Sequence, residues 1–331
     1  MTEYIIGIDT GATKSHLALF DTNANLIDFG RWGALTHEAL SGSFAQFELE
    51  LNQFVNQVLS RNGITIKQVV FAALGIAGVD TKNQHVIVSE ILRRIGFEKF
   101  TLVNDAFLGI PAGSRAGVGI CAINGTGCTL AGINREGRTL QIGGVGFIAG
   151  DIGGGSYMGQ WVVSAVYLEL FRRGVPTSMT ASLFEKFHIK SKYDLIDTIH
   201  EKVRDGTFDS LSCVRILFEE AGKNDKVALG IVNEVAQSYA AGISGMIDDL
   251  KFDRKETLDI VFAGSVFVKG RYPLLLGGIE DAVNKNNPGY TVKYTLLEVP
   301  TVAGAAIWAL NTLDFKSGNY DRVCSQLKNT N

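Results

Sequence analysis

Short apolar runs separated by polar turns open the chain, and longer amphipathic segments follow them. Alternating runs of this kind predict a meander of antiparallel strands. Apolar residues that recur every three to four positions predict helices, and a continuous β-branched run is typical of a buried strand. The first half reads as strands at 4–9, 15–20, 26–29, 69–74 and 100–103, with helices at 43–61, 83–95 and shortly after 103. The predicted order is therefore βββαβαβα.

The second half repeats this order and adds helical segments. Its predicted strands are 118–123, 128–133, 138–142, 258–262 and 291–296. Its predicted helical segments are 160–173, 178–221, 225–250, 271–284 and a final helix at 302–313, before a polar tail. The duplication of order predicts an α/β fold of two domains, 1–115 and 116–331, with a helical insertion at about 160–250 in the larger second domain. Two such halves enclose a cleft, and ligands bind preferentially in clefts.

Composition narrows the class of protein. Glycine accounts for 38 of 331 residues, more than the average of about 7%, and eight of the seventeen residues from 143 to 159 are glycine. The net charge is −3 and no basic stripe is present, so we expect no nucleic-acid partner. We also expect no membrane span and no secretory leader, because neither pattern occurs. The four cysteines are widely spaced, which favours a reducing cytoplasm over disulfides or a zinc site.

The first candidate for chemistry is the glycine-rich turn after the first strand. Gly11, Ala12, Thr13 and Lys14 lie in a turn of small residues, whose backbone N–H groups can surround phosphate oxygens. Asp9, at the end of the strand, is suited to hold Mg²⁺ through water. An ordinary hairpin turn is the alternative. A Walker loop is excluded, because its lysine-containing pattern is missing.

A second turn of the same type occupies the equivalent place in the second half. Gly125, Thr126 and Gly127 follow the first strand there, as the sequence INGTG (123–127) echoes GIDTG (7–11). Each turn alone is also compatible with a plain glycine turn. The pair together predicts a polyphosphate held from two sides.

A carboxylate follows the last strand of the first half. Asp105 stands beside Asn104 where that strand ends, a place from which it can accept a proton from a hydroxyl that attacks phosphorus. The alternative is that Asp105 caps the next helix, since aspartate is favoured at that position. The two roles are compatible.

Three further segments are candidates for ligand contact. Asp151 is the only charged residue between Arg138 and Gln160, among many glycines, which suggests a ligand such as a sugar hydroxyl or a metal. The alternative is an aspartate that serves only the turn. Thr36 and His37 lie in the loop after the third strand and are predicted to line the cleft. The dipeptide at 264–265 ends a buried strand, where backbone can approach an adenosine.

Together these segments resemble the N-acetylglucosamine kinase group of the BadF/BadG/BcrA/BcrD ATPase family, whose members have the actin-like ATPase fold. The resemblance rests on GIDTGATKS (7–15), LGIAGVD (74–80), NDA (104–106), INGTGC (123–128), GGVGFIAGDIGGGSYMG (143–159), AGS (263–265) and AGAAIWA (303–309). It covers nearly the whole chain. It implies two ribonuclease H-like domains, Mg²⁺ and ATP as cofactors, and a small-molecule sugar as the second substrate.

The resemblance also implies roles for individual residues. Asp9 would hold Mg²⁺ through water, Thr13 and Thr126 would contact ATP phosphates, and Asp105 would be the base facing a sugar 6-hydroxyl. The sugar side would comprise Thr36, His37, Gly78, Asn104, Gly144, Val145 and Asp151. The adenosine side would comprise Gly264 and Ser265.

The sequence departs from the family pattern on the sugar side. Thr36, Ala77, Val145 and Ile152 replace an asparagine, a serine, a tryptophan and a glutamate that the family often carries. We therefore predict an ATP-dependent amino-sugar kinase with an unassigned acceptor. The alternatives are a regulator that binds nucleotide or sugar without transfer, and an ATPase that acts on a protein partner. A homodimer is compatible with such a kinase, although no residue pattern indicates one.

Overall fold

Two five-stranded mixed sheets form the framework of the molecule, in a computed structural model that describes residues 2–313, 319–328 and 330. The first sheet contains β1 (Tyr4–Thr10), β2 (Ser15–Asp21), β3 (Leu26–Trp32), β4 (Val69–Ile76) and β5 (Phe100–Val103). Its spatial order is β3-β2-β1-β4-β5. Strands β1, β2 and β3 pair antiparallel, whereas β4 runs parallel to both β1 and β5.

The second sheet has the same topology. It contains β6 (Gly119–Asn124), β7 (Cys128–Ile133), β8 (Thr139–Gly143), β9 (Thr257–Ala263) and β10 (Thr291–Leu296). Its order, β8-β7-β6-β9-β10, repeats that of the first sheet strand for strand. Again the first three strands pair antiparallel and the last two run parallel. The predicted duplication is confirmed.

Helices cover the faces of both sheets. Those of the first half are α1 (Ser43–Arg61), α2 (Lys82–Ile95) and α3 (Gly109–Gly113). Those of the second half are α4 (Gly155–Arg172), α5 (Met179–Phe187), α6 (Leu195–Arg204), α7 (Ser210–Gly222), α8 (Lys226–Leu250), α9 (Pro273–Asn286), α10 (Val302–Thr312) and α11 (Asn319–Leu327). Short 3-10 turns occur at Ile66–Gln68, Asp105–Leu108, Phe147–Ala149 and Lys192–Asp194, and a π-helical turn at Val266–Gly270. In the described part of the chain, no helix combines the length and apolar character needed to cross a bilayer.

The buried side chains form three clusters, and one of them joins the two halves. Helices α1 and α2 pack on one face of the first sheet. Helices α4, α7, α8 and α9 pack on the outer face of the second sheet. Between the sheets, α3 and α10 pack against strands of both. The side chains of this inner cluster therefore connect the two halves of the molecule.

The C-terminal part of the chain differs from the sequence prediction. Helix α10 was predicted as the last helix, but α11 follows it and buries Val323 and Leu327. The side chain of Gln326 then bonds the β2–β3 turn, accepting from the Leu26 N–H and donating to the Ala24 carbonyl, both at 2.8 Å. Two buried residues four apart are too weak a pattern to reveal so short a helix. The stretch 314–318 of the predicted polar tail lies outside the described residues.

Helix α10 also bears on the predicted domain division. It packs closely on β1 of the first sheet, because a Cβ on Gly7 would lie 2.7 Å from the backbone nitrogen of Ala306. The last helices of the chain therefore contact the first half. The boundary at residues 115 and 116 stays a prediction.

Two predicted helical segments differ from the structure, one in its start and one in its division. Helix α4 starts five residues before the predicted position, at Gly155, because the N–H groups of Gly155 and Ser156 donate to the turn after β6. The region 178–221 divides into α5, α6 and α7.

Candidate functional site

Strand alternation directs Asp9 toward the region between the two halves. Successive side chains of a strand point to opposite faces. Ile6 and Ile8 face α1 and α2, whereas Ile5 belongs to the inner cluster. Asp9 shares the face of Ile5, and its Oδ2 accepts a hydrogen bond from the Thr301 hydroxyl just before α10. Burial raises the pKa of Asp9 to about 6, against the lowering effects of Thr301 and Lys14.

The turn after β1 is exposed and keeps its backbone available. Ala12, Thr13 and Lys14 are all exposed. The Gly11 carbonyl accepts from the Leu35 N–H at 3.1 Å, which ties the turn to the loop after β3. Immediately before the turn, the Oγ1 of Thr10 is buried and has no hydrogen-bond partner among the described residues.

The turn after β6 is built against the N-terminus of α4. The carbonyls of Gly125 and Thr126 accept from the N–H groups of Gly155 and Ser156 at 2.8 and 3.0 Å. Gly154 allows this approach, since a Cβ there would lie 2.6 Å from the backbone of Gly127. Thr126 and Gly127 remain exposed. The positive end of a long helix therefore lies directly behind this turn.

The predicted adenosine segment lies against the same turn. Gly264 adopts φ +90°, and a Cβ there would lie 2.4 Å from the carbonyl oxygen of Asn124. Ser265 next to it is exposed. The side-chain amide of Asn124 is fully buried, and neither of its polar atoms has a partner in the described part of the protein. Thr10 and Asn124 lie at equivalent ends of β1 and β6. Both have buried side-chain polar atoms without a hydrogen-bond partner among the described residues.

Asp105 begins the 3-10 turn that follows β5. The cap of this turn is Asn104, whose side-chain oxygen accepts from the Ala106 N–H at 2.9 Å, so the capping role considered for Asp105 falls to its neighbour. Burial, together with the negative charges of Asp9 and Asp80, raises the pKa of Asp105 to about 8. Its side chain is only partly exposed. These couplings show that the two predicted carboxylates, Asp9 and Asp105, lie in one electrostatic site.

Asp80 is a residue of this site that the sequence did not single out. Its Oδ1 accepts from the amide of Asn104 at 2.9 Å and from the amide of Gln141, on β8, at 2.6 Å. The first donor belongs to one half of the molecule and the second to the other. Gly144 also approaches Asp80, since a Cβ there would lie 2.8 Å from Oδ1. Burial raises the pKa of Asp80, and the neighbouring Glu38 raises it further.

Asp151 organises the glycine-rich loop between β8 and α4. Its Oδ2 accepts from the backbone N–H groups of Val145 and Gly146 at 2.8 and 2.7 Å. One carboxylate oxygen therefore shapes the loop, which supports a structural role beside the predicted ligand contact. The loop is open to solvent, and the side chain of Val145 is 64% exposed.

Thr36 and His37 are more buried than the prediction of a cleft lining implies. Thr36 is 2% exposed, and its hydroxyl accepts from the Ala39 N–H at 3.1 Å. His37 stacks on Phe44 with ring centroids 4.1 Å apart. Its Cε1 lies 3.0 Å from the place of a Cβ on Gly78, which has φ +82°. The Nδ1 of His37 has no partner in the described structure.

An open cavity of about 280 Å³ connects several of these segments. It is lined by the second turn, by the glycine-rich loop and by the start of α4. Its lining includes Thr126, Gly127, Gly144, Phe147, Asp151 and Tyr157. The rings of Phe147 and Tyr157 stack with their centroids 5.6 Å apart. Phosphate-turn residues and predicted sugar residues thus share one cavity.

The residues present fit a magnesium ion carried by a phosphate ligand. No group of three or more His, Cys, Asp or Glu side chains in the described chain forms a dedicated metal cage. Mg²⁺ usually keeps several waters and binds one or two carboxylates plus phosphate. Asp9 offers such a carboxylate. Its Oδ1 accepts no hydrogen bond in the described structure, and burial raises its pKa despite the lowering effects of Thr301 and Lys14.

Comparison with known proteins agrees with this geometry. The model of the BadF/BadG/BcrA/BcrD ATPase family matches residues 6–309. The chain belongs to this family. The resemblance identified from the sequence motifs is confirmed, and the predicted fold of two ribonuclease H-like domains agrees with the two sheets of identical topology.

Two relatives and one solved structure illustrate the range of similarity within and beyond this ATPase family. The N-acetylmuramic acid/N-acetylglucosamine kinase of Clostridium acetobutylicum is 26% identical over 315 residues, 94% of this chain and 100% of that protein. The N-acetyl-D-glucosamine kinase of Dictyostelium discoideum is 26% identical over 321 residues, 94% of this chain and 98% of that protein. A ROK family glucokinase from Streptomyces griseus, solved with glucose and AMPPNP, has a TM-score of 0.55 at 16% identity and covers 92% of this chain and 98% of its own.

The structure brings some of the predicted residues close to one another and adds several to them, whereas Ala12, Thr13 and Lys14 lie exposed on the first turn and outside the cavity. Asp9 and Asp105 interact, Asn104 and Gly144 both meet Asp80, and Thr126, Gly127 and Asp151 line one cavity. The residues that the sequence analysis missed are Thr301, Asp80, Gln141 and Gly154. The available signal was that Asp80 and Gly154 lie inside recognised motifs. Thr301 and Gln141 carry no local signal.

Proposed function

We propose that this protein is an ATP-dependent kinase that transfers the γ-phosphoryl group to a hydroxyl of an amino sugar, the 6-hydroxyl in the first instance. The observation that carries the proposal is the placement of Asp105. It is a partly exposed carboxylate that begins the 3-10 turn after β5, and the negative charges of Asp9 and Asp80 act on it. Phosphoryl transfer needs little more than positioning, charge stabilisation and a group that receives the hydroxyl proton.

The phosphate side is assigned to the two turns. Backbone N–H groups of the first turn, with Thr13 and Lys14, bind phosphate oxygens from one side, and the second turn with Thr126 binds them from the other. The N-terminus of α4 behind Gly125 adds a favourable field for anions. Gly264 and Ser265 contact the adenosine. Asp9 holds Mg²⁺ through water, and the ion supplies charge neutralisation at the phosphates.

Asp105 acts as the base toward the sugar hydroxyl. With a pKa of about 8 it is largely protonated at neutral pH in the free protein. A cation held at Asp9 would lower that pKa, because the charge of Asp9 has the larger effect of the two negative charges that raise it. Asp105 therefore becomes a competent proton acceptor once the nucleotide site is filled. Deprotonation of Asp105 therefore depends on whether Mg·ATP is bound.

The sugar side is assigned to the region between Asp105 and the glycine-rich loop. Asn104, Gly78 and His37 approach from the first half, and Gly144, Val145 and Asp151 from the second. Thr36 shapes the loop that carries His37. Closure of the two halves on the sugar excludes water, so that the sugar rather than water receives the phosphoryl group.

The test is ADP release from Mg·ATP with a panel of sugars: N-acetylglucosamine, glucosamine, N-acetylmuramic acid, N-acetylmannosamine and glucose. We expect release with one or a few of them. Asp105→Asn is expected to lower kcat by about 10²- to 10⁴-fold, the usual contribution of a general base. ATP affinity should stay nearly unchanged. Asp249→Asn, which alters an exposed carboxylate of α8, is the matched control and should retain full activity.

Each alternative gives a different result in this assay. Release that does not depend on sugar would favour an ATPase that acts on a protein partner. Nucleotide binding without any release would favour a regulator. Near-normal turnover in Asp105→Asn would remove Asp105 from its assigned role.

A further inference from the structure

We propose that Thr10 and Asn124 are positioning residues for the nucleotide, each acting through the glycine-rich turn that follows it. Their buried polar groups have no hydrogen-bond partner among the described residues, and the turn supplies one when it binds phosphate. The relief of that cost favours nucleotide binding. The inference rests on the nucleotide site of the proposed function and goes beyond it, because that function assigns no role to either residue.

Buried side-chain atoms without a hydrogen-bond partner belong to three residues of the described chain. They are the Oγ1 of Thr10, the Nδ1 of His37 and both amide atoms of Asn124. All three residues lie on segments proposed to hold substrates. Asn134 and Thr177, which are also buried, have hydrogen-bond partners. Because nearly all buried polar groups in native proteins are paired, these exceptions call for a functional reason.

Thr10 and Asn124 occupy the same place in the two halves of the molecule. Thr10 is the last residue of β1 and Asn124 the last residue of β6, the first strand of each sheet in chain order. Across the turn, Thr10 pairs with Ser15, and Asn124 pairs with Cys128. The two halves differ in residue type at this place, yet both carry an unpaired buried group. Such a recurrence connects the feature to the turns rather than to the packing of one side chain.

Neither side chain can touch a ligand directly, because both residues are 0% exposed. Any effect on the nucleotide therefore passes through the backbone of the turn. In the first turn, the Gly11 N–H donates to the Ser15 hydroxyl at 3.4 Å, a long and therefore weak bond. A phosphate oxygen that accepts from this N–H releases the Ser15 hydroxyl. The Thr10 hydroxyl lies directly opposite in the strand pair and can then bond to it.

The second turn offers the same exchange. The Gly125 N–H donates to the Gly127 carbonyl at 3.0 Å and so closes the turn on itself. A phosphate oxygen that replaces this carbonyl as the acceptor releases it for the amide of Asn124. The carbonyls of Gly125 and Thr126 are already taken by the N-terminus of α4, so the Gly127 carbonyl is the acceptor that phosphate binding sets free.

A group that is unpaired only in the free protein raises the free energy of that state alone. A ligand shifts an equilibrium by its different affinity for the two states, so relief of the unpaired group strengthens binding. An apolar side chain of the same shape removes the cost from the free protein and the gain from the complex. Such a variant is more stable without nucleotide but binds nucleotide more weakly. A purely structural role does not separate these two effects.

The experiment compares Thr10→Val and Asn124→Leu with two matched controls, Thr177→Val and Asn134→Leu. Each substitution keeps the branching of the side chain and removes its polar atoms. In the controls it breaks existing bonds, since the Thr177 hydroxyl and the Asn134 amide donate at 3.0 and 2.8 Å. Melting temperatures are measured without nucleotide, and the Kd for Mg·ATP is measured by calorimetry without sugar.

We expect Thr10→Val and Asn124→Leu each to raise the melting temperature by about 2 °C. The Kd for Mg·ATP should rise about tenfold in both, the range of one hydrogen bond gained by a buried group. The controls should melt at lower temperatures and keep the Kd of the wild type. Thr10→Ser keeps the hydroxyl and should also keep that Kd.

A lower melting temperature in Thr10→Val and Asn124→Leu overturns the inference, because it shows that the polar groups are already satisfied in the free protein. An unchanged Kd overturns it as well. If the larger leucine prevents Asn124→Leu from folding, Thr10→Val, which conserves volume, decides alone. Mg·ATP binding without ADP release for any sugar refutes the kinase but leaves this inference standing, whereas a wild type that does not bind Mg·ATP refutes both.

Discussion

At the scale of single residues, the site is a set of carboxylates held in positions where water cannot fully solvate them. Asp9 is the clearest case, because burial raises its pKa while one hydroxyl donor lowers it. That donor, Thr301, is 292 residues away in the sequence. The charge of Asp9 at neutral pH therefore depends on a residue just before α10.

Replacing this donor should weaken nucleotide binding. Thr301→Val removes the hydroxyl at nearly constant volume, so the pKa of Asp9 rises further and less of its ionised form is available to Mg²⁺. A hydrogen bond to a charged group contributes about 1.5–3 kcal/mol, so we expect the Kd for Mg·ATP to rise roughly tenfold or more. Titration calorimetry measures it.

The control for this variant is Thr312→Val. Thr312 lies at the other end of α10 and donates to the Trp308 carbonyl at 2.9 Å, on the surface. Its replacement should leave the Kd unchanged. An unaltered Kd in Thr301→Val would contradict the assignment of Asp9 to the metal.

At the scale of elements, α10 is the helix that joins the two halves. Its glycine at 304 lies so close to the turn after β5 that a Cβ there would be 1.9 Å from the Leu108 carbonyl oxygen. Residues of α3, next to that turn, belong to the same inner cluster. The close approach fixes α10 against both β1 and the 3-10 turn that begins with Asp105.

A single methyl group at this contact should be destabilising. Gly304→Ala forces the helix and the turn apart, and overpacking of this kind costs about 1–3 kcal/mol. The matched variant is Gly277→Ala in α9, where an added Cβ meets nothing within 4 Å. It should be neutral or stabilising by up to about 1 kcal/mol, because alanine favours helices.

Urea unfolding of both alanine variants measures this difference. Equal midpoints for Gly304→Ala and the wild type would show that α10 can move away without cost. That result would reject the close packing described for the inner cluster.

At the scale of the whole molecule, the two halves bring like charges together between them. Asp9, Asp80 and Asp105 lie on segments of the first half, and Asp80 is bonded to Gln141 of the second. Such an arrangement serves the proposed chemistry but disfavours the folded state when all three are ionised. Function and stability are therefore opposed here, as is common at active sites.

This opposition predicts a pH dependence of stability. The folded pKa of Asp105, about 8, exceeds its ordinary value of 3.8. The stabilising contribution of Asp105 to the free energy of unfolding is fully present below pH 3.8. It is lost as the pH rises toward 8. Asp105→Asn mimics the protonated form, so its melting temperature should exceed that of the wild type by an amount that grows from pH 5 to pH 8, reaching about 2–4 °C.

Titration of His16 has the opposite effect on stability, because it lowers the free energy of unfolding at acidic pH. Burial, Lys14 and Arg31 lower its pKa to about 4, so its contribution to stability is lost as the pH falls from 6.5 toward 4. Because both proteins keep His16, the difference between them isolates Asp105. Scanning calorimetry without nucleotide is the measurement, and a constant difference across the range would contradict the raised pKa.

The sequence by itself determined the order of the strands and helices and the position of both glycine turns. Hydrophobic periodicity and turn chemistry depend on neighbouring residues, so they can be read locally. The pattern also predicted roles for Asp9 and Asp105, because Asp9 lies at the end of a buried strand and Asp105 directly after another.

Only the tertiary structure decided which groups complete the site. The bond from Thr301 to Asp9 spans 292 residues and that from Gln141 to Asp80 spans 61. Such contacts depend on how α10 and the two sheets pack against one another, and no local pattern encodes that packing. The helix α11 escaped prediction for the same reason, because the buried places of Val323 and Leu327 are supplied by distant parts of the chain.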